Sequence, residues 1–220
     1  MPTPKKGYFL SDGTRVPGTT TIIGRFKDSG ALIRWAWQRG RDGKELYDER
    51  DKACDIGTAA HAMVESHIKG MDPNGCPEIA TLDADGQQKA RNAFGMYLEW
   101  ASMSNLEIVE QEMQLVSEVH RFGGTPDAIG MVNGKLCLVD WKTSNGVFSD
   151  YLLQLAAYRL LWEENHPDLP LIGGFHLCRF SKEHGDFAHH YYSELEDALR
   201  MFLNLRNAYQ FDAALKKRAA

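Results

Sequence analysis

Cysteine is sparse in this chain, and the four present, Cys54, Cys76, Cys137 and Cys178, are scattered without one CxxC pair. That argues against a zinc ribbon and, at 220 residues, against a small disulfide-stapled secreted scaffold. Long apolar runs are missing too. None approaches the roughly 18 residues of a membrane span, and the opening "MPTPKKGYFLSDG" carries no apolar targeting segment. No GxxxxGK[ST] phosphate loop occurs, so a nucleotide-driven motor would have to be a separate chain. Net positive charge is lacking as well: the balance is −5, which excludes a globally basic nucleic-acid coat. These absences point to a cytoplasmic protein with reduced thiols and no membrane partner.

What is present suits one domain over residues 1–220, with 43% hydrophobic residues to build its core. The pattern divides into an N-terminal hairpin and basic, aromatic helices (1–56), a core (57–192) and a C-terminal helix (193–220). "GYFLSDGTRV" reads as a hairpin around Asp12-Gly13. "SGALIRWAWQRGRDGKELYDERD" reads as helical, "DIGTAAHAMVESHIKG" as a helix opening near Gly57 and stopped by Gly70, and residues 83–104 as another helix. Residues 107–117, 121–132 and 135–142 then read as three strands, followed by a helix (150–164), strands at 171–179 and 187–192, and a last helix (193–216). The expected fold class is α/β (α+β), a central mixed β-sheet flanked by helices.

Positive charge is local. Lys5, Lys6, Arg15, Arg25 and Lys27 face only Asp12 in residues 1–27, and Arg34, Arg39, Arg41 and Lys44 follow. Such an end can track phosphate without general stickiness.

The chemistry concentrates in "GKLCLVDWKTS", 134–144. Asn133-Gly134 is a strong signal for a two-residue hairpin loop. If 132 pairs with 135, Asp127 falls opposite Asp140, with Cβ atoms about 4.5–5.5 Å apart, and Lys142 shares their face. Two opposed carboxylates repel, and a divalent cation between them reverses the sign. A solvated edge hairpin with chance charges is the bland alternative, but Leu136, Cys137, Leu138 and Val139 are apolar on both faces, as in a covered strand. Hard oxygen ligands favour Mg2+ or Mn2+, one ion or two. Beside a lysine, such an ion suits phosphodiester hydrolysis.

Gly124-Thr125-Pro126-Asp127 followed by Asp140-Trp141-Lys142 resembles the PD-(D/E)XK nuclease superfamily. "GTAAHAMVE" (57–65) resembles the G-T-x-x-H-x-x-x-E element of its RecB-like exonuclease branch, and "QLAAY" (154–158) its Q-x-x-x-Y element. "RVPGTTTIIGRF", a Trp-containing helix and "GKLCLVDWKTS" look like the subgroup of the mitochondrial genome maintenance exonuclease and its phage and bacterial relatives. The resemblance implies a restriction-endonuclease-like core and a metal-dependent exonuclease preferring single-stranded DNA ends, in replication, recombination or repair. A separate helicase or recombination protein is the partner class it allows. It leaves open an endonuclease, a helicase-associated nuclease subunit, and a non-cutting DNA-end-binding protein on a nuclease scaffold.

Residue by residue, the resemblance implies Asp127, Asp140, Glu112 and His61 at the metal, Lys142 activating water, and Gln154 with Tyr158 steadying the site. Glu65, four residues after His61, shares its helix face and orients its neighbours or adds a ligand. Thr143 and Ser144 are expected at the DNA. Arg34, Arg39, Arg41 and Trp35 suit a flexible strand held by stacking and phosphate contacts, although Trp35 and Trp37 also fit a core, with at least one expected inside it. Ser149 or Asp150 is the expected N-cap of the helix that follows. Iron–sulfur members of the branch use one upstream cysteine and three near the C-terminus. Only Cys178 follows the core here, so no cluster is expected, and Cys54 reads as a buried thiol.

Overall fold

The computed structural model describes residues 7–27, 30–43, 46–144, 146–180 and 187–219, and their side chains except those of 31–32 and 46–55. Lys5, Lys6, Lys44 and His184, and the side chain of Cys54, lie outside that description. In chain order the elements are β1 (Tyr8–Phe9), β2 (Arg15–Val16), α1 (Thr19–Phe26), α2 (Gly30–Arg41), α3 (Leu46–Ile68), α4 (Pro77–Ala80), α5 (Ala84–Met103), β3 (Glu107–Gln111), β4 (Leu115–Ser117), β5 (Phe122–Gly124), β6 (Ala128–Val132), β7 (Lys135–Thr143), α6 (Ser149–Asn165), β8 (Phe175–Phe180), β9 (Phe187–Tyr192) and α7 (Glu196–Ala219).

The central sheet has the order β3-β6-β7-β8-β9. Its strands pair antiparallel except β7 and β8, which run parallel and are joined through α6. This is the mixed sheet anticipated from the pattern. The Asn133-Gly134 turn has both residues at positive φ (48° and 76°), the mirror-image turn that matches strand twist. It sets Val132 opposite Lys135 and carries the register through to Ala128 opposite Val139. The next step of that ladder brings Asp127 to Asp140.

Alternation along β7 builds two cores. Cys137, Val139 and Trp141 join Ala59, Ala60, Met63, Ala90, Ala93 and Tyr97 of α3 and α5. Leu138 joins Ile22, Leu155, Ala157, Leu161, Trp162 and Phe202 of α1, α6 and α7. Each large side chain so buried contributes about 1.5–3 kcal/mol of apolar transfer.

Several expectations need correction. The strands read over 107–117 and 121–132 are each broken in two. Glu112 adopts φ 50°, which ends β3, and the Thr125-Pro126-Asp127 stretch separates β5 from β6. The broken-off pieces pair with each other as a β4–β5 hairpin. The GTAAH helix does not open near Gly57: α3 runs continuously from Leu46. The arginine-rich stretch is two helices, parted after Arg41 near Gly43 (φ 67°). Helix α1 was not anticipated, because "TTTIIGRF" is β-branched and its helical face emerges only against α6 and α7.

Candidate active site

Asp127 and Asp140 are almost wholly buried, at 1% and 0% exposure. Asp140 lies on β7 among apolar neighbours, and Asp127 closes the turn that enters β6. One Asp127 oxygen, Oδ2, accepts the Trp141 backbone N–H at 2.9 Å. Lys142 follows on the Asp140 face. Its Nζ donates to Asp140 Oδ1 at 3.0 Å and lies 2.8 Å from Oδ2, off the hydrogen-bonding direction. Asp127 Oδ1 is thus buried without a hydrogen-bond donor, and the neighbour of Asp140 Oδ2 is the Lys142 ammonium alone. Leaving an acceptor such as Asp127 Oδ1 unmet costs about 1–3 kcal/mol, and more when charged.

The two acids respond differently. Burial pushes Asp127 up, but the charges of His61 and Lys142 and the bonds from His61 and Trp141 outweigh it and hold the carboxyl at about 2. Burial and then repulsion by Asp127 push Asp140 up to about 6, against the pull of Lys142. One acid stays ionised while its neighbour sits near neutrality.

His61 reaches the site from α3. Its Nε2 is 3.1 Å from the Trp141 carbonyl oxygen and 3.4 Å from Asp127 Oδ2. Burial lowers its pKa, but the Asp127 carboxylate more than reverses that, and the net direction is up. The helix comes close because Gly57 lacks a side chain: a Cβ there would sit 3.2 Å from Thr143 Cβ.

Glu112 lies just past β3 rather than on it. Its backbone N–H donates to the Asp127 carbonyl at 3.1 Å. It lines a small hollow of about 10 Å³ with His61, Glu65, Gln111 and Asp127. Burial and then Glu65 raise the Glu112 pKa. Glu65 also pairs with Lys69. The candidate ligands Asp127, Glu112 and His61 therefore meet around one hollow, with Asp140 and Lys142 across Asp127.

Gln154 and Tyr158 are buried on α6, and the Gln154 amide donates to the Tyr158 hydroxyl at 2.7 Å. Burial drives the Tyr158 pKa well up, and both aspartates reinforce it, so the phenol keeps its proton as a donor. Thr143 is half-buried. Ser144 is buried, with its hydroxyl donating to the Gly146 carbonyl at 2.7 Å.

Trp35 and Trp37 are 37% and 59% exposed, so neither is in the core. Each carries an arginine instead: the Arg39 guanidinium lies 5.7 Å from the Trp35 ring centre, and Arg41 lies 4.8 Å from Trp37. Arg34 is exposed on the same helix.

Sequence reasoning missed Tyr151, whose ring centre lies 5.4 Å from the Lys142 ammonium. Its spacing to Gln154 and Tyr158, i, i+3 and i+7, was the available signal. It also missed the His176–His189 pair, 2.9 Å apart on β8 and β9, which only strand pairing brings together. The expected N-cap of α6 is wrong: Phe148 occupies it, and Asp150 pairs with Lys27 at 2.6 Å.

Among the described residues no ready group of three His, Cys, Asp or Glu side chains stands at metal-ligand spacing. Two buried carboxylates, one of them with an oxygen lacking any donor, nevertheless fit a hard cation, whose shell is usually completed by water and substrate phosphate. No helix among those residues is long and apolar enough to cross a membrane.

No curated protein matches this chain. Among solved structures, a proposed exonuclease from Eubacterium rectale is 14% identical, with a TM-score of 0.44 over 70% of this chain and 68% of that one. A protein named SSO0001 is 18% identical, with a TM-score of 0.35 over 70% and 72%. The family model of the PD-(D/E)XK nuclease superfamily matches residues 32–217, a span that holds both aspartates, Lys142 and the helices around them. On that match the chain belongs to the PD-(D/E)XK nuclease superfamily.

Proposed function

We propose that this protein is a Mg2+- or Mn2+-dependent deoxyribonuclease that removes nucleotides from single-stranded DNA ends. The observation that carries the reading is the pair Asp127 and Asp140, both buried, with one Asp127 oxygen lacking any donor and Asp140 held by Lys142 alone. When bound, the ion supplies charge neutralisation at the phosphate and a nucleophile at neutral pH.

The chain's own residues divide the remaining work. Asp127 and Asp140 hold the ion, with Glu112 and His61 completing its protein ligands and Glu65 orienting Glu112. Lys142 orients the attacking water and stabilises charge developing on the phosphate oxygens. Tyr158, kept protonated by burial and by the charge of the two aspartates, is held in place by Gln154. Arg34, Arg39, Arg41 and Trp35, with Thr143 and Ser144 beside the site, hold the strand. Arginine–tryptophan pairs exposed on one helix suit a flexible strand, since stacking and phosphate contact need no base pairing. The likeness of "RVPGTTTIIGRF" and "GKLCLVDWKTS" to the mitochondrial genome maintenance exonuclease subgroup supports the preference for ends and a place in replication, recombination or repair.

The test uses end-labelled linear and circular DNA, single- and double-stranded, with magnesium or with chelator. The proposal expects metal-dependent loss of label from linear single strands and survival of the circle. Rapid cutting of the circle would show endonuclease action, and equal cutting in chelator would remove the metal assignment.

A further inference from the structure

Beyond Lys142 the site continues outward through two rings that the proposed chemistry leaves unused. The Tyr151 ring centre stands 5.4 Å from the Lys142 ammonium. Phe148 packs against Tyr151 edge to face, with ring centroids 5.5 Å apart and planes at 82°. The backbone holds the pair together, since the Tyr151 N–H donates to the Phe148 carbonyl at 3.0 Å. A continuous row therefore leads from buried Asp140 through Lys142 and Tyr151 to Phe148 at the surface.

Phe148 is 52% exposed. As the N-cap of α6 it occupies a position where Ser, Thr, Asp or Asn would stabilise the helix by a side-chain bond, and it makes none. Neither local helix energetics nor core packing accounts for a phenylalanine there. The same turn carries Asp150, and Lys27 pairs with it at 2.6 Å, so Asp150 is not a bare negative charge that would repel a phosphate. A phosphate held at Lys142 brings its own base, or the next one, to the surface just beyond, because base and phosphate are joined through one sugar.

We propose that Phe148, braced by Tyr151, is the stacking platform for a nucleobase next to the scissile phosphate, and that it selects an unpaired nucleotide. Inside a duplex both faces of a base are already covered by its neighbours, so the ring has a partner only on an unpaired or terminal base. The proposal rests on the nuclease reading of Lys142 and Asp140, but it concerns binding and is measured without cutting.

The probe is a set of single-stranded oligonucleotides with 2-aminopurine, or an abasic site, at successive positions, bound in calcium instead of magnesium. Stacking quenches 2-aminopurine at one position with the wild-type protein. Phe148→Ala should lose that quench and bind about tenfold more weakly, within the range of a single base–aromatic stack. Phe148→Trp should keep both. An abasic site at that position should weaken the wild type about tenfold and leave Phe148→Ala unchanged. Unaltered quenching in Phe148→Ala, or an equal abasic penalty in both proteins, overturns the platform. If magnesium supports cutting but no position depends on Phe148, the platform alone fails. If the protein does not cut yet shows the Phe148-dependent quench, Phe148 stacks a base but at no scissile phosphate, and it is the nuclease reading that fails.

Discussion

Asp127 accepts the backbone N–H of Trp141 at 2.9 Å, across the hairpin from its own chain segment. A main-chain donor on a covered strand does not swing away, so one Asp127 oxygen is fixed in place and the other is left without a donor. Asp140 is held differently, by the Lys142 ammonium. One acid is anchored by the fold and the other by a side chain.

Asp140→Asn keeps the shape of the side chain and removes its charge. Because metal stabilisation of a transition state is worth several kcal/mol, cleavage should fall by at least roughly 10²-fold. Single-strand binding should survive. Single-turnover rates in saturating magnesium check this, and wild-type rates would remove Asp140 from the metal site.

Metal affinity should depend on pH through Asp140. Its carboxyl is pushed up to about 6, so below that pH it is protonated and not a ligand. Affinity for Mn2+ should therefore rise with pH through about 6 as Asp140 loses its proton, and keep rising above that as His61, whose pKa lies above the usual histidine value, loses its own. Calorimetry from pH 5 to 8 measures it, and a flat profile would argue that Asp140 carries no proton there.

Lys142→Ala separates two roles of one ammonium. Lys142 lowers the Asp140 pKa, so its loss should move the metal-binding profile to higher pH while leaving affinity at pH 8 near wild type. The turnover number should drop strongly, since water orientation and charge stabilisation are lost. Collapse of affinity at pH 8, with single-turnover rates recovering at high metal, would make Lys142 structural.

Replacing Arg34, Arg39 and Arg41 by Ala should weaken single-strand binding regardless of sequence. The log–log salt slope should flatten by about 0.7 for each phosphate that the variant no longer neutralises. Filter binding between low and moderate salt reads both. An unchanged slope would place the DNA elsewhere on the molecule.

Gly124→Ala should destabilise the fold without touching a charged group. The added Cβ would sit 2.6 Å from the Tyr158 ring and 2.8 Å from Leu161, both buried. Overpacking of that kind costs about 1–3 kcal/mol, seen as a lower denaturation midpoint.

Much of the centre was legible because it depends on local rules. A two-residue turn dictates register, and register with a period of two puts Asp127 and Asp140 together and Lys142 on the same face. The mixed sheet and the superfamily could be read from that stretch with its flanking motifs. Less legible was anything that depends on distant partners. Glu112 sits at φ 50° and ends its strand, which its apolar-polar pattern does not reveal. Trp35 and Trp37 have a composition that fits a core, yet lie outside it, because burial depends on what packs above a helix and not on the helix itself.

The sequence by itself determined the hairpin and the two apolar faces of β7, since turn chemistry and alternation act between near neighbours. Only the tertiary structure decided that His61 of α3 and Glu112 beyond β3 meet at Asp127. Only it could raise the Asp140 pKa while holding Asp127 ionised. Both outcomes depend on burial and on charges brought close from far along the chain, and neither quantity exists until the helices close over the sheet.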